Sequence, residues 1–452
     1  MAKLARRGAV PALILVGNSS RSSEQCSQPQ CSTVGSTSVR SDSLWLLASH
    51  LINGVCQWST VWFLSLYAGR EVLGEFSLAN AVVTPLMLFA GLDLRTLQAT
   101  DQTGKYHTAN ILLLKVCGVG IAFLGLVCFG LFQKRLDISI ALLLGLAAAR
   151  GWEMISDVAH GCFQKAHRGD VLAKSRVLRA TVMLGFLAIV FLASRSIAVT
   201  ALFLALCSAV LTLVVDFPLA AAVSGADRES LCKGGVAASR SSEMLGLLVT
   251  SLPVGATFAL ISFNAYLPRY WLGYNGGAEA VGSFAVCSAF PMAMIGVSNA
   301  TTAAALPRLS RFWDTGNNVR GRQLSLNLLL VNGLIGLVSA TGLAAFANPL
   351  LAVFGLPTGS EVTLFRLLAV SIGVRSLSFG FSTYVRSHKA FSSLLYCEVV
   401  AIVALGGALS FANPGSLQHV GWASVFSAIA ATVAYACAAG FYWLRPLEEH
   451  AK

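Results

Sequence analysis

Three charged side chains share one face of an apolar segment near the middle of the chain. Arg150, Glu153 and Asp157 follow the apolar run 138–149, and helical spacing places them within about 80° of one another around a helix axis. A charge at bilayer depth costs roughly 2.5–3.5 kcal/mol even on the mildest scale. This face is therefore expected to meet water, a partner or a cavity, and it predicts a polar path through a membrane transporter.

The two carboxylates of this face suggest ion coupling. Glu153 and Asp157 stand at i and i+4, and a like-charged, partly desolvated pair of this kind can hold a proton or bind a cation. The structural alternative is that Arg150 neutralises Glu153, or that Arg150 or Arg375 pairs with an acid, without any transported ion. The sequence leaves both interpretations open.

Two further arginines complete a candidate anion site. Arg375 lies inside a later apolar segment, on one face with three serines, and Arg269 ends another segment. Arginine offers several planar donors to phosphate oxygens. If the two halves of the chain face each other, Arg150 and Arg375 would form a cavity for an anion, whereas Arg269 could instead anchor the chain at the outer interface.

Polar residues also line two apolar segments at helical spacing. Asn53 and Gln57 share a face in the first segment, and Asn264 shares a face with two threonines in the seventh. Such side chains either form hydrogen bonds between membrane helices or line a polar cavity. Both interpretations are retained.

Composition restricts the class of protein. Of the 452 residues, 56% are hydrophobic and only 12% are charged, whereas soluble domains carry about 25% charged residues. This indicates an all-α polytopic membrane protein. The net charge of +12 is explained by basic loops rather than by nucleic-acid binding. The cysteines form no metal-ligand pattern and no phosphate-binding loop is present, so no cofactor, metal or catalytic residue is predicted.

Twelve apolar segments are long enough to span a bilayer. The predicted spans are 44–64, 72–92, 109–131, 138–160, 176–193, 197–220, 244–266, 279–303, 323–346, 361–384, 394–412 and 420–443. They divide into a tail 1–42, an N-terminal six-helix bundle 43–220, a linker 221–243, a C-terminal bundle 244–445 and a tail 446–452. The start of the chain also has a signal-like run, but we favour a disordered cytoplasmic tail.

The basic residues predict the orientation. Most of the 32 Lys and Arg residues fall on one side of the twelve spans, among them Arg176 and Arg179 at the inner end of the fifth span and Arg308 and Arg311 after the eighth. The positive-inside rule then places both termini in the cytoplasm.

Internal similarity relates the two bundles. The second segment begins Gly74-Glu-Phe and the eighth begins Gly282-Ser-Phe, while Lys165-Ala-His-Arg168 resembles Arg386-Ser-His-Lys389. The offset of six helices predicts two parallel halves about a central cavity.

Several of these motifs resemble one transporter family. The residues that carry the resemblance are Gly74-Glu-Phe-Ser-Leu-Ala, Pro85, Leu94-Arg95, Thr100-Asp101, Glu153, Ser156-Asp157, Gly161, Gln164, Pro268-Arg269-Tyr270, Gly282, Phe284 and Pro307-Arg308-Leu309. Over about 44–445 the chain resembles the oligosaccharide (O-antigen-type) flippases of bacterial polysaccharide biosynthesis. Their superfamily also holds the multidrug and toxin extrusion carriers.

The resemblance implies a function. The chain would carry an undecaprenyl-pyrophosphate-linked oligosaccharide from the cytoplasmic to the periplasmic leaflet of the bacterial inner membrane, with a polysaccharide polymerase and glycosyltransferases as further partners. Arg150, Arg375 and Arg269 are then expected on the pyrophosphate, and Asn53, Gln57 and Asn264 on the glycan. Glu153 and Asp157 would couple transport to protons or sodium. The alternatives are a drug/cation antiporter of the same superfamily and a membrane glycosyltransferase or polymerase, which the short outer loops disfavour.

Overall fold

A computed structural model describes residues 39–100, 107–133, 138–166, 168–223, 241–355, 359–388, 390–413 and 415–444. The predicted tails lie outside these ranges up to residue 38 and from residue 445, as does the linker from residue 224 to 240. The described residues belong to one compact unit, 37–452.

The described residues fold into helices without any strand. The helices are α1 Val39–Tyr67, α2 Arg70–Gly91, α3 Leu94–Thr100, α4 Thr108–Phe132, α5 Ile140–Lys165, α6 Gly169–Ser194, α7 Ile197–Val210, α8 Phe217–Val223, α9 Ser241–Asn275, α10 Gly277–Asp314, α11 Asn318–Ala345, α12 Ala347–Ala352, α13 Ser360–Ser387, α14 Phe391–Ser410 and α15 Leu417–Leu444. A π-helical turn, Leu211–Asp216, joins α7 to α8.

The helices account for the predicted spans. Ten helical stretches in the described chain are long and apolar enough to cross a membrane. Helices α1 and α5, with 29 and 26 residues, fall within the length range of these ten, 19–32 residues. They carry the polar faces predicted at Asn53 and Gln57 and at Arg150, Glu153 and Asp157. The all-α polytopic fold predicted from the sequence is confirmed.

Two helices extend beyond the predicted spans. Helix α6 begins at Gly169 instead of residue 176, so Arg176 and Arg179 lie well inside the helix and not at its start. Helix α10 continues to Asp314, so Arg308 and Arg311 also belong to a helix. A basic residue does not by itself end a helix, because a helix continues through a charge that finds a partner or water.

The main contacts between the first six spans and the last six run through α1 and α2 on one side and α9 and α10 on the other. Helices α2 and α10 cross very closely at the two glycines found by internal similarity. A Cβ on Gly74 would lie 1.7 Å from the carbonyl oxygen of Ala278, and one on Gly282 would lie 2.0 Å from that of Arg70. Only glycine allows this approach of the two backbones.

Candidate functional site

Helix α5 carries the predicted charged face in its second half, after a first half in which Leu142, Leu143 and Leu146 are buried. Arg150 Nη1 donates to Glu153 Oε2 at 2.7 Å, and the two side chains keep 36% and 41% of their surface exposed. The structural alternative considered from the sequence, an i,i+3 ion pair, is therefore present. The pair is nevertheless accessible, and Tyr266 of α9 lies close enough to interact electrostatically with Arg150.

Asp157, one turn further along α5, is surrounded by basic groups. Arg95 Nη1 lies 3.4 Å from Oδ1 and Lys115 Nζ lies 3.5 Å from Oδ2. Ring nitrogen Nδ1 of His160 is 3.5 Å from Oδ1. Lys115 is only 1% exposed, so Asp157 supplies the negative charge that makes its burial tolerable. Glu153 and Asp157 thus each face cations instead of forming an isolated pair of carboxylates.

A second, buried network lies behind this face and was not found from the sequence. Arg179 Nη2 donates to Asp216 Oδ2 at 2.6 Å, and the same guanidinium donates to the hydroxyls of Ser208 and Thr212. Asp216 is 2% exposed and ends the π-helical turn. Such turns often occur at functional sites. An acid within the apolar run 197–220 was the signal available in the sequence.

Arg375 has a partner that the sequence analysis overlooked. Its Nη2 lies 2.9 Å from both carboxylate oxygens of Glu398 on α14, and the hydroxyl of Tyr435 on α15 donates to the same carboxylate at 2.9 Å. Glu398 is 2% exposed. The expected free arginine of the C-terminal half is therefore neutralised inside its own half by a helix that comes later in the chain.

Arg269 differs from the other interior arginines. It lies within α9, six residues before the end of that helix at Asn275, and its Nη2 donates to Ser288 at 3.3 Å. Its guanidinium stands 4.8 Å from the ring centroid of Tyr266 and 5.9 Å from that of Phe284. No carboxylate in the described chain lies within 4.0 Å of it.

The three residues predicted to contact a glycan have different environments. Asn264 is 6% exposed, and its Oδ1 accepts from the hydroxyl of Ser427 at 3.4 Å, which is the hydrogen-bonding role between helices. Asn53 is half-buried and Gln57 is exposed on α1. These two side chains keep the surface that ligand contact requires, whereas Asn264 does not.

The three predicted arginines have different neighbours. Arg150 and Arg269 both lie near Tyr266, whereas Arg375 forms a separate cluster with Glu398 and Tyr435. An arginine such as Arg269, beside a phenol and without a carboxylate within 4.0 Å in the described chain, can bind a phosphate or another anion.

Residues 95–313 match the family of polysaccharide biosynthesis proteins. This match confirms the family resemblance drawn from the sequence. The search of curated proteins gave no match.

Solved transporters share the fold at low identity. The chain is similar to the Vibrio cholerae MATE transporter VcmN, with a TM-score of 0.66 at 14% identity over 90% of this chain and 98% of the other. It is also similar to the eukaryotic MATE transporter AtDTX14, with a TM-score of 0.61 at 15% identity over 90% and 95% of the two chains. An outward-facing multidrug resistance MATE family transporter of the MOP superfamily gives 0.61 at 16% identity over 91% and 97%.

Proposed function

We propose, taking the match to the polysaccharide biosynthesis family as the premise, that this transporter carries an undecaprenyl-pyrophosphate-linked oligosaccharide across the bilayer. The cargo would move from the cytoplasmic to the periplasmic leaflet of a bacterial inner membrane, with both protein termini in the cytoplasm. The observation that carries the proposal is Arg269, a half-buried arginine without a carboxylate partner among the described residues.

The charges around α5 support an anionic cargo. The basic side chains there are Arg95, Lys115, Arg150, Arg176 and Arg179, and the acidic ones are Asp93, Glu153, Asp157 and Asp216. The basic side chains outnumber the acidic ones, so these charges together attract the negatively charged pyrophosphate. Arginine in particular can donate two hydrogen bonds to one phosphate.

The remaining parts of the cargo suit other residues. Gln57 is exposed on α1 and Asn53 is half-buried there, and amides of this kind pair with sugar hydroxyls. Asn264 and Arg375 would not contact the cargo; they stabilise the packing of the helices. The accessible acids Glu153 and Asp157 are our candidates for coupling to a proton or sodium gradient. Each lies beside basic groups, and a bound anion would offset the electrostatic effect of those groups on the acid.

A drug/cation antiporter is the second candidate. It is favoured by the fold shared with MATE transporters and by the exposure of Glu153, whose carboxylate could bind a cation. The two candidates differ in what Arg269 should do. An anion carrier needs this charge, whereas a cation carrier should work as well or better without it.

The decisive experiment is complementation of a deletion strain scored for surface polysaccharide. Arg269→Gln should fail at normal membrane levels while lipid-linked oligosaccharide accumulates on the cytoplasmic side. Arg366→Gln is the matched control, because Arg366 is an exposed arginine on α13 and should complement fully. Full activity of Arg269→Gln would refute the anion site. A wild-type chain that alters only drug or cation sensitivity would favour the antiporter.

A further inference from the structure

His160 lies between two carboxylates of the N-terminal half, those of Asp157 and Asp216. It lies on α5, three residues after Asp157, and is 4% exposed. Its two ring nitrogens face different partners, so the hydrogen-bond donors and acceptors around it determine which nitrogen carries a proton.

The Nε2 side of the ring is fixed by a serine. The hydroxyl of Ser175 lies 3.2 Å from Nε2 and donates to Asp216 Oδ1 at 2.5 Å. A serine has one hydroxyl proton, and Ser175 donates it to the Asp216 carboxylate. The Ser175 oxygen must therefore accept from Nε2, which makes Nε2 the protonated nitrogen of the neutral ring.

In this tautomer Nδ1 carries a lone pair that faces a carboxylate oxygen. Asp157 Oδ1 is 3.5 Å away, and Nδ1 is a buried nitrogen without a hydrogen-bond partner among the described residues. Two acceptors that face each other repel, whereas one proton between them would create a charge-assisted hydrogen bond of about 2.7–2.9 Å. Nδ1 and Oδ1 already face each other, so a proton between them is all that this hydrogen bond requires.

We propose that His160 Nδ1 and Asp157 Oδ1 form a proton-binding site, and that its occupation is linked to the binding of an anionic cargo. The linkage rests on the proposed function. The proton comes from water through Asp157, whose side chain is 21% exposed, and it binds the free lone pair of Nδ1. Neutral His160 thereby becomes an imidazolium held between Asp157 on one side and the Ser175–Asp216 pair on the other.

The charges around the ring come from several helices. They are Asp157 on α5, Lys115 on α4 and Arg95 on α3 beside Asp157, Arg176 and Arg179 on α6, and Asp216 at the end of the π-helical turn. Burial of the ring and the four basic side chains oppose the proton, whereas the two carboxylates favour it. A bound anion reduces that opposition, so anion binding and proton binding should each strengthen the other by the same factor.

Histidine NMR on the full chain in lipid nanodiscs tests the proton site directly. His160→Gln assigns the resonance by its loss, and His419→Gln is the control, because His419 is an exposed histidine at the start of α15. We expect the His160 resonance to titrate between pH 5 and pH 8, and Asp157→Asn to move its midpoint toward lower pH. A His160 resonance that stays neutral over this range, or that ignores Asp157→Asn, overturns the proton site.

Calorimetry with inorganic pyrophosphate tests the linkage to the cargo. Titrations in two buffers of different ionisation enthalpy, near the midpoint of the His160 titration, give the number of protons taken up with the ligand. The wild-type chain should take up a measurable fraction of a proton and bind several-fold more tightly at the acidic end of the range, and His160→Gln should lose both effects while still binding.

The two experiments can fail independently. Pyrophosphate that does not bind at any pH refutes the proposed anion site, while the NMR titration still decides whether the proton site exists. Binding without proton uptake, in a chain whose His160 does titrate, overturns the linkage. Ser175→Ala adds a further check, because the freed tautomer should change the NMR signature of Nε2 without removing a charge.

Discussion

The chain contains two arginine–glutamate pairs whose burial differs strongly, and this difference makes a quantitative prediction. Glu398 is 2% exposed and accepts from Arg375 and Tyr435. Glu398→Gln leaves the charge of Arg375 without its counter-ion in the interior. Removing one member of a buried ion pair costs about 3–5 kcal/mol, which lowers the equilibrium constant for folding by roughly two to three and a half powers of ten.

The accessible pair on α5 is the internal control. Arg150 and Glu153 are 36% and 41% exposed, and exposed pairs contribute only about 0–1 kcal/mol. Glu153→Gln should therefore change the stability little, although it removes the same kind of charge from the same kind of pair. The double variant Arg375→Gln with Glu398→Gln should recover much of the loss, because no uncompensated charge remains.

Reversible unfolding in mixed micelles with increasing mole fraction of SDS measures these differences, followed by the fluorescence of the tryptophans. Equal losses for Glu398→Gln and Glu153→Gln would refute the reasoning from burial. A double variant no more stable than Glu398→Gln alone would show that the hydrogen bonds to Tyr435, and not the isolated charge, account for the loss.

Three further predictions concern separate parts of the chain. Gly74→Ala should cost about 1–3 kcal/mol by forcing α2 away from α10, measured by the same unfolding assay, whereas Gly120→Ala, with open space around it, should not destabilise the chain. Arg269→Gln should weaken the binding of inorganic pyrophosphate at least tenfold by calorimetry. Arg269→Lys should bind more tightly than Arg269→Gln but more weakly than the wild-type chain, because the planar donors are lost. Equal affinities of the two variants for pyrophosphate would contradict this site. Asp216→Asn should lower stability by several kcal/mol, because it leaves Arg179 buried without its acid, and an unchanged unfolding midpoint would show that the hydroxyls alone satisfy the guanidinium.

The sequence by itself determined the approximate position of the long apolar helices. Long apolar runs must become helices in a bilayer, since only helices satisfy their backbone groups internally there. Helical periodicity also placed Arg150, Glu153 and Asp157 on one face of α5, as the structure shows. The glycines of the internal repeat, Gly74 and Gly282, were predicted as equivalent positions and are found at the closest crossing of α2 and α10.

Only the tertiary structure decided which charges compensate one another. Arg375 meets Glu398 across two helices, Arg179 meets Asp216 across a separation of 37 residues, and Lys115 meets Asp157. Periodicity describes one helix at a time, whereas these pairs depend on the packing of separate helices. Arg269 is singled out by the same information, because an arginine is recognised as unpaired only when the neighbours that could neutralise it have been placed.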